Sequence, residues 1–147
     1  MNFQKNARIT LYAGRFLGAV VVGLCFFLRD LLSWYHSFRA LSWQAAAAIL
    51  GGYYLCVPMI LGALFFMDRL LVSILRGGVF LERNVGFLRR ICLCCAGVSA
   101  VSLVCGIFYQ PLLFLFAIMA FLSLSVSVVE NVMAAAVAIR EENDLTV

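Results

Sequence analysis

The chain has 147 residues, 65% of them hydrophobic and 12% charged, with a formal net charge of +4. A mean hydropathy of +1.07 excludes a soluble core wrapped in polar surface and leaves the bilayer as the solvent. The basic residues are scattered at the ends of apolar runs and form no block of like charge, so they set membrane orientation rather than bind nucleic acid directly.

The opening "MNFQKNARITLYAGRFLGAVVVGLCFF" pairs a basic start with an apolar run, as a signal peptide would. No small-x-small site precedes a polar sequence, and Leu24 before Cys25 does not suit lipoprotein cleavage, so the segment reads as retained. Residues 9–28 form the first span, interrupted only by Arg15 and long enough to cross about 30 Å of hydrocarbon. An outer loop, 29–44, places Leu31, Trp34, Tyr35, Phe38 and Leu41 at helical spacing, which predicts a short interfacial helix with its aromatic rings at headgroup depth. His36, the only histidine, falls on the polar face and reads as solvated, with proton sensing as the alternative.

The second span covers 45–67, with a kink expected at Pro58. Helical periodicity runs on through "DRLLVSILR" to Gly77 and Gly78, the expected stop. A cytoplasmic linker, 68–90, then leads to the third span at 91–109. Gln110-Pro111 is a tight turn into the fourth, 112–138, and a polar tail closes at 139–147. Lys5, Arg8, Arg15, Arg69, Arg76, Arg83, Arg89, Arg90 and Arg140 all lie on one side of these spans, and only Arg29 and Arg39 on the other. Positive loops stay in the cytoplasm. The expectation is an all-α membrane protein, a four-transmembrane-helix bundle in the bacterial cytoplasmic membrane, with both termini cytoplasmic.

Glu130 is the most informative single residue, because an ionisable group within a span is costly unless paired or wet. It lies about 15 Å along a helix from Arg140, and Arg15 lies about 10 Å in from Arg8 on the same side. A polar cluster of Arg15 and Glu130, with Asn131 beside them, is therefore expected to join the first and fourth spans. Ser123, Ser127 and Asn131 recur every fourth residue and lead to the same place. Structural glue is the preferred reading, and a proton or cation relay or a site for a cationic ligand is the alternative.

Cys92, Cys94 and Cys95 in "CLCC" have no histidine or second cysteine pair beside them, so buried packing outweighs a metal or redox role, and no cofactor or metal is expected. Gly14 and Gly18, with Ala48 and Gly52, supply small faces for close helix contact and leave homo-oligomerisation open. There is no activated nucleophile, carboxylate pair or phosphate loop, and the chain reads as non-enzymatic.

The stretches "GGVFLERNVGFLRRI" and "REENDLTV" resemble bacterial membrane proteins grouped as domain-of-unknown-function family 2975, small four-span proteins with a "G-x-F-[TS]-x-x-N-x-x-x-L-R" linker and an "E-x-D-L-T-[IV]" tail. The matching positions are Gly78, Phe80, Asn84, Leu88 and Arg89, then Glu142, Asp144, Leu145 and Thr146. Leu81 departs from the pattern: a hydroxyl residue there would cap the helix starting at Glu82, worth about 1 kcal/mol, and leucine cannot. Asn84 or hydrophobic anchoring has to compensate. The resemblance also implies a small helix-turn-helix regulator as partner, because such regulators are often encoded beside family members.

Two functions compete. One is a non-enzymatic regulatory protein that holds a partner through its cytoplasmic linker and tail, with Glu82 among the contact residues. The other is a small exporter or self-immunity protein that works through Glu130.

Overall fold

The structure, a computed structural model, describes residues 2–38, 42–77 and 81–145, with side chains over 9–28, 30–31, 33–34, 42–77 and 81–143. Four helices follow in chain order: α1 (Asn2–Phe38), α2 (Trp43–Leu75), α3 (Glu82–Gly106) and α4 (Pro111–Leu145). No strand occurs among the described residues. Each helix carries a stretch long and apolar enough to span a bilayer: Ile9–Leu28, Trp43–Leu75, Glu82–Gly106 and Pro111–Asn143. The chain is a multi-pass, all-helical membrane protein.

Local chemistry sets the helix ends. Ser42 caps α2 by accepting the Ala45 N–H at 3.2 Å. The helix runs unbroken through Pro58 and stops where Gly77 takes a positive φ of 84° and donates its N–H to the Ile74 carbonyl at 3.0 Å. Gly78, the other member of the expected stop, lies outside the described residues. Residues 107–110 turn tightly, and Pro111 opens α4 at the one position where its missing N–H costs nothing.

Helix extends beyond the expected spans, in the linker and the outer stretch as their periodicity predicts, and in the polar tail as well. The linker is helix up to Leu75 and again from Glu82; the outer stretch continues α1 as far as Phe38; the tail continues α4 to Leu145. Asp68 and the residues after it are polar or basic at intervals, but none of them breaks α2 before its end at Leu75 and the positive φ of Gly77. At about 1.5 Å per residue, α2 and α4 are each about 50 Å long, well beyond the hydrocarbon thickness.

Packing is strictly sequential. α1 lies against α2, α2 against α3 and α3 against α4, and no other helix pair makes contact among the described residues. The bundle is therefore an open row of antiparallel helices. The N-terminus of α1, the connection from α2 to α3 and the C-terminus of α4 share one end.

The interior of the row is made mostly of small and polar side chains, with Leu88 the largest apolar one among the described residues. Ala45, Cys56, Ser73, Asn84, Ser99, Ser102 and Val98 are buried, whereas Phe16, Phe26, Phe114, Phe121 and Leu124 are exposed. That is the pattern for helices solvated by lipid, where close backbone approach holds neighbours together. A Cβ on Gly52 would sit 2.9 Å from Cys105 Sγ, and one on Gly97 would sit 2.8 Å from Met59 Sδ. Gly14 meets Met67 of α2 closely, where a Cβ would sit 3.1 Å from its Cε, and Gly18 faces Leu64 at an ordinary 3.7 Å.

Polar atoms bind the seams. From α2, the Tyr53 and Tyr54 hydroxyls donate to the Val21 and Cys25 carbonyls of α1 at 2.8 and 3.0 Å. Between α3 and α4, the Ser123 hydroxyl donates to the Cys92 carbonyl at 3.2 Å, the Cys92 thiol donates to the Ser123 carbonyl at 3.3 Å, and Ser99 donates to the Phe116 carbonyl. Arg15 pairs with Asp68 of α2 at 3.2 Å. The expected pairing of Arg15 with Glu130 is thereby corrected: α1 and α4 stand at opposite edges of the row, and the acid at matching depth belongs to the adjacent helix.

Two outcomes test this packing. Asp68→Asn should lower stability in lipid-detergent bicelles by about 1–3 kcal/mol by stranding the Arg15 charge, and adding Arg15→Gln should restore part of the loss. Equal losses that simply add would refute the pair. Gly52→Ala should cost about 1–3 kcal/mol against Cys105, whereas Gly51→Ala, which meets nothing within 4 Å, should cost nothing.

Candidate functional site: the polar end of the row

Two clefts flank the first turns of α3. Toward α2, Arg69 lies three and four residues before Val72 and Ser73, which lie four and three before Arg76, so all of them share one face. Arg83 and Phe87, four residues apart on α3, close a cavity of about 120 Å³ against that face. Ser73 is only 4% exposed, and among the described residues its hydroxyl has no hydrogen-bond partner. The neighbouring seam is aromatic and cationic: Phe66 stacks on Phe87 at 6.3 Å between centroids, and the Arg90 guanidinium lies 5.2 Å above the Phe66 ring. Arg69 sits in the same way over Phe65.

Toward α4 the cleft has the opposite sign. Glu82 and Val85 of α3 face Ala134, Val137, Ala138 and Glu141 of α4 across a groove of about 340 Å³. Its floor is apolar, with Val137 buried, and both carboxylates are exposed at its rim. Glu142 lies exposed on the next position of α4.

The wall between the clefts is α3 itself. Leu81 occupies its N-cap in an extended conformation with no side-chain cap bond, as leucine must. The Asn84 N–H instead donates to the Leu81 carbonyl at 2.9 Å, and the Asn84 side chain is completely buried. Leu88, one turn on, is 7% exposed. Asn84 and Leu88 were expected on a partner-facing surface; both are packed inside, because their four-residue spacing aims them at neighbouring helices. Glu82 and Arg89 are exposed. Gly78, Phe80 and Thr146 lie outside the described residues, as do the side chains of Asp144 and Leu145.

The expected intramembrane cluster is not gathered in one place. Ser123 is committed to Cys92, and Ser127 and Glu130 continue the half-buried stripe of α4 that faces α3, while Asn131 is exposed. Extending the Cys92–Ser123 and Ser99–Phe116 register puts Glu130 at the level of Val85, close to the acidic groove. Arg15 stands on α1 with two helices between it and α4, held by Asp68. Cys92, Cys94 and Cys95 are free thiols used in packing, with the Cys94 sulfur beside Gly62. Among the described residues no group of three or more His, Cys, Asp or Glu side chains is arranged to hold a metal.

Sequence reasoning assigned Arg69, Arg76 and Arg83 to membrane orientation and passed over Ser73. The signal was the step from 69 to 73 to 76, which places two arginines and a hydroxyl on one helical face. Glu141 gives no sequence signal of its own, since it sits in the polar tail outside the resembling tail positions, and only the continuation of α4 brings it opposite Glu82.

No curated protein and no solved structure matches the chain. The model of one family, described as a protein of unknown function, matches residues 4–147, nearly the whole length. Four apolar helices, the buried Asn84 and Leu88 and that match together place the chain: it belongs to the DUF2975 family.

Proposed function

We propose that this protein is a non-enzymatic regulator of the bacterial cytoplasmic membrane that holds a small cytoplasmic partner at the polar end of its helical row. The basic residues of that end argue for a cytoplasmic location, with both termini on the same side. The observation that carries the reading is the acidic groove between α3 and α4. An apolar floor with Glu82 and Glu141 on its rim and Glu142 beyond suits an amphipathic helix bearing lysine and arginine on its polar face. A small helix-turn-helix regulator offers such helices, since the surface that meets DNA must be basic. Holding that surface in the groove would occupy it, so docking at the membrane and binding to DNA would exclude one another. Glu82, Arg89, Glu142 and the helical tail that carries Asp144 and Leu145 would then make the contacts, with Gly78, Phe80 and Thr146 adjacent in sequence.

A photoreactive residue at Glu82 or Glu141, introduced into the full chain in its native host, should capture a basic protein of small mass. One at the exposed Phe114, at the far end of α4, should capture none. Capture of lipid alone from both groove positions would count decisively against a docked partner.

Glu130 supports a second reading. It is half-buried in a span, and Asp68 has taken the arginine that would have neutralised it. An exporter or self-immunity protein that binds and releases a proton or cationic ligand would use such a carboxylate. Proton-driven ligand movement in proteoliposomes that disappears in Glu130→Gln, with folding intact, would establish this reading over the first. Unchanged stability and no transport in either protein would remove it.

A further inference from the structure

We propose that the cavity between the ends of α2 and α3 binds a phosphate group, carried by an anionic phospholipid or present as free phosphate. The site is built from Ser73 and Arg76 of α2 and Arg83 of α3, with Arg69 at its rim over Phe65. At about 120 Å³ it has the volume of about four waters, enough for one tetrahedral oxyanion.

Ser73 is the observation that an orienting role for the arginines leaves unexplained. Cations near the C-terminal end of a helix complement its dipole, so Arg76 alone would be at home there without any ligand. A hydroxyl on a residue of 4% exposure in the wall of a cavity, with no hydrogen-bond partner among the described residues, is costly unless a ligand in the cavity supplies one. Phosphate oxygens accept from a hydroxyl and from guanidinium forks alike. Arg76 and Arg83 have no ion pair among the described residues. The nearest acids in sequence face elsewhere: Asp68 is held by Arg15 on the α1 side, and Glu82 lines the opposite groove.

Depth favours a headgroup. α2 extends about 50 Å, so its last two turns pass beyond about 30 Å of hydrocarbon into the layer where lipid phosphates lie. Basic pockets between spanning helices at that depth hold anionic headgroups. The inference rests on the chain spanning a bilayer and is independent of any protein partner in the acidic groove.

The test is made on the purified full chain. Native mass spectrometry with phosphatidylglycerol against phosphatidylcholine reads retained lipid, and thermal unfolding with added inorganic phosphate reads the soluble source. One phosphatidylglycerol retained in preference to phosphatidylcholine, or a rise in unfolding temperature with phosphate, is expected, and which of the two occurs identifies the source. Arg76→Gln with Arg83→Gln should weaken the effect about tenfold or more. Ser73→Ala should weaken it without unfolding the protein, which keeps the test decisive if the double variant fails to fold. Arg89→Gln with Arg140→Gln removes the same charge elsewhere and should leave binding in place. Equal loss in both arginine pairs, full binding by Ser73→Ala, or no response to either ligand in the unaltered protein would overturn the assignment.

Discussion

In hydrocarbon an apolar side chain gains nothing by leaving lipid for another side chain, so helices associate where backbones approach closely and where polar atoms find partners. Every seam of this protein obeys that constraint. Gly52 admits Cys105, Gly97 admits Met59, and tyrosine or serine hydroxyls reach carbonyls on the adjacent helix. The large side chains point outward, where their cost is lowest. This is why the buried set among the described residues contains serines and an asparagine but neither phenylalanine nor tryptophan.

An open row follows from the same rule. Short connections make successive helices antiparallel neighbours, and each pair is satisfied locally. With no aqueous solvent driving the row to close, α1 and α4 remain at its edges, and α3 is gripped from both sides. The polar end inherits this arrangement. α3 enters between α2 and α4 and divides one charged region into two clefts, basic toward α2 and acidic toward α4. Mixed charge that looks balanced along the sequence is segregated in space.

The number of helices and the shared end of termini and linker were legible because the apolar runs and the turns between them are written directly in the hydropathy. The glycine stop at Gly77 was legible because a left-handed residue is needed there. Helix neighbourhood was not. Arg15 and Glu130 have similar depths, but depth says nothing of lateral position, and Asp68 stands at the same depth on the helix that follows α1. A preference for consecutive neighbours would have selected Asp68. Asn84 and Leu88 were placed outside because they belong to a polar stretch, yet the same four-residue spacing that marks a helix also marks which of its residues face inward.

That inward placement changes what the family pattern means. Asn84 and Leu88, two of the positions by which the chain resembles its relatives, are not where a ligand arrives; they fix the start of α3 between its neighbours and so hold the two clefts apart. Of the side chains that present charge to those clefts, Glu82 and Arg83 lie at open positions of the pattern, and Arg76 and Glu141 lie outside it. Arg89, which the pattern does include, is exposed beyond both clefts. The matched positions Asn84 and Leu88 therefore speak to the geometry of this end, while the charge that lines its clefts comes from Arg76, Arg83, Glu82 and Glu141.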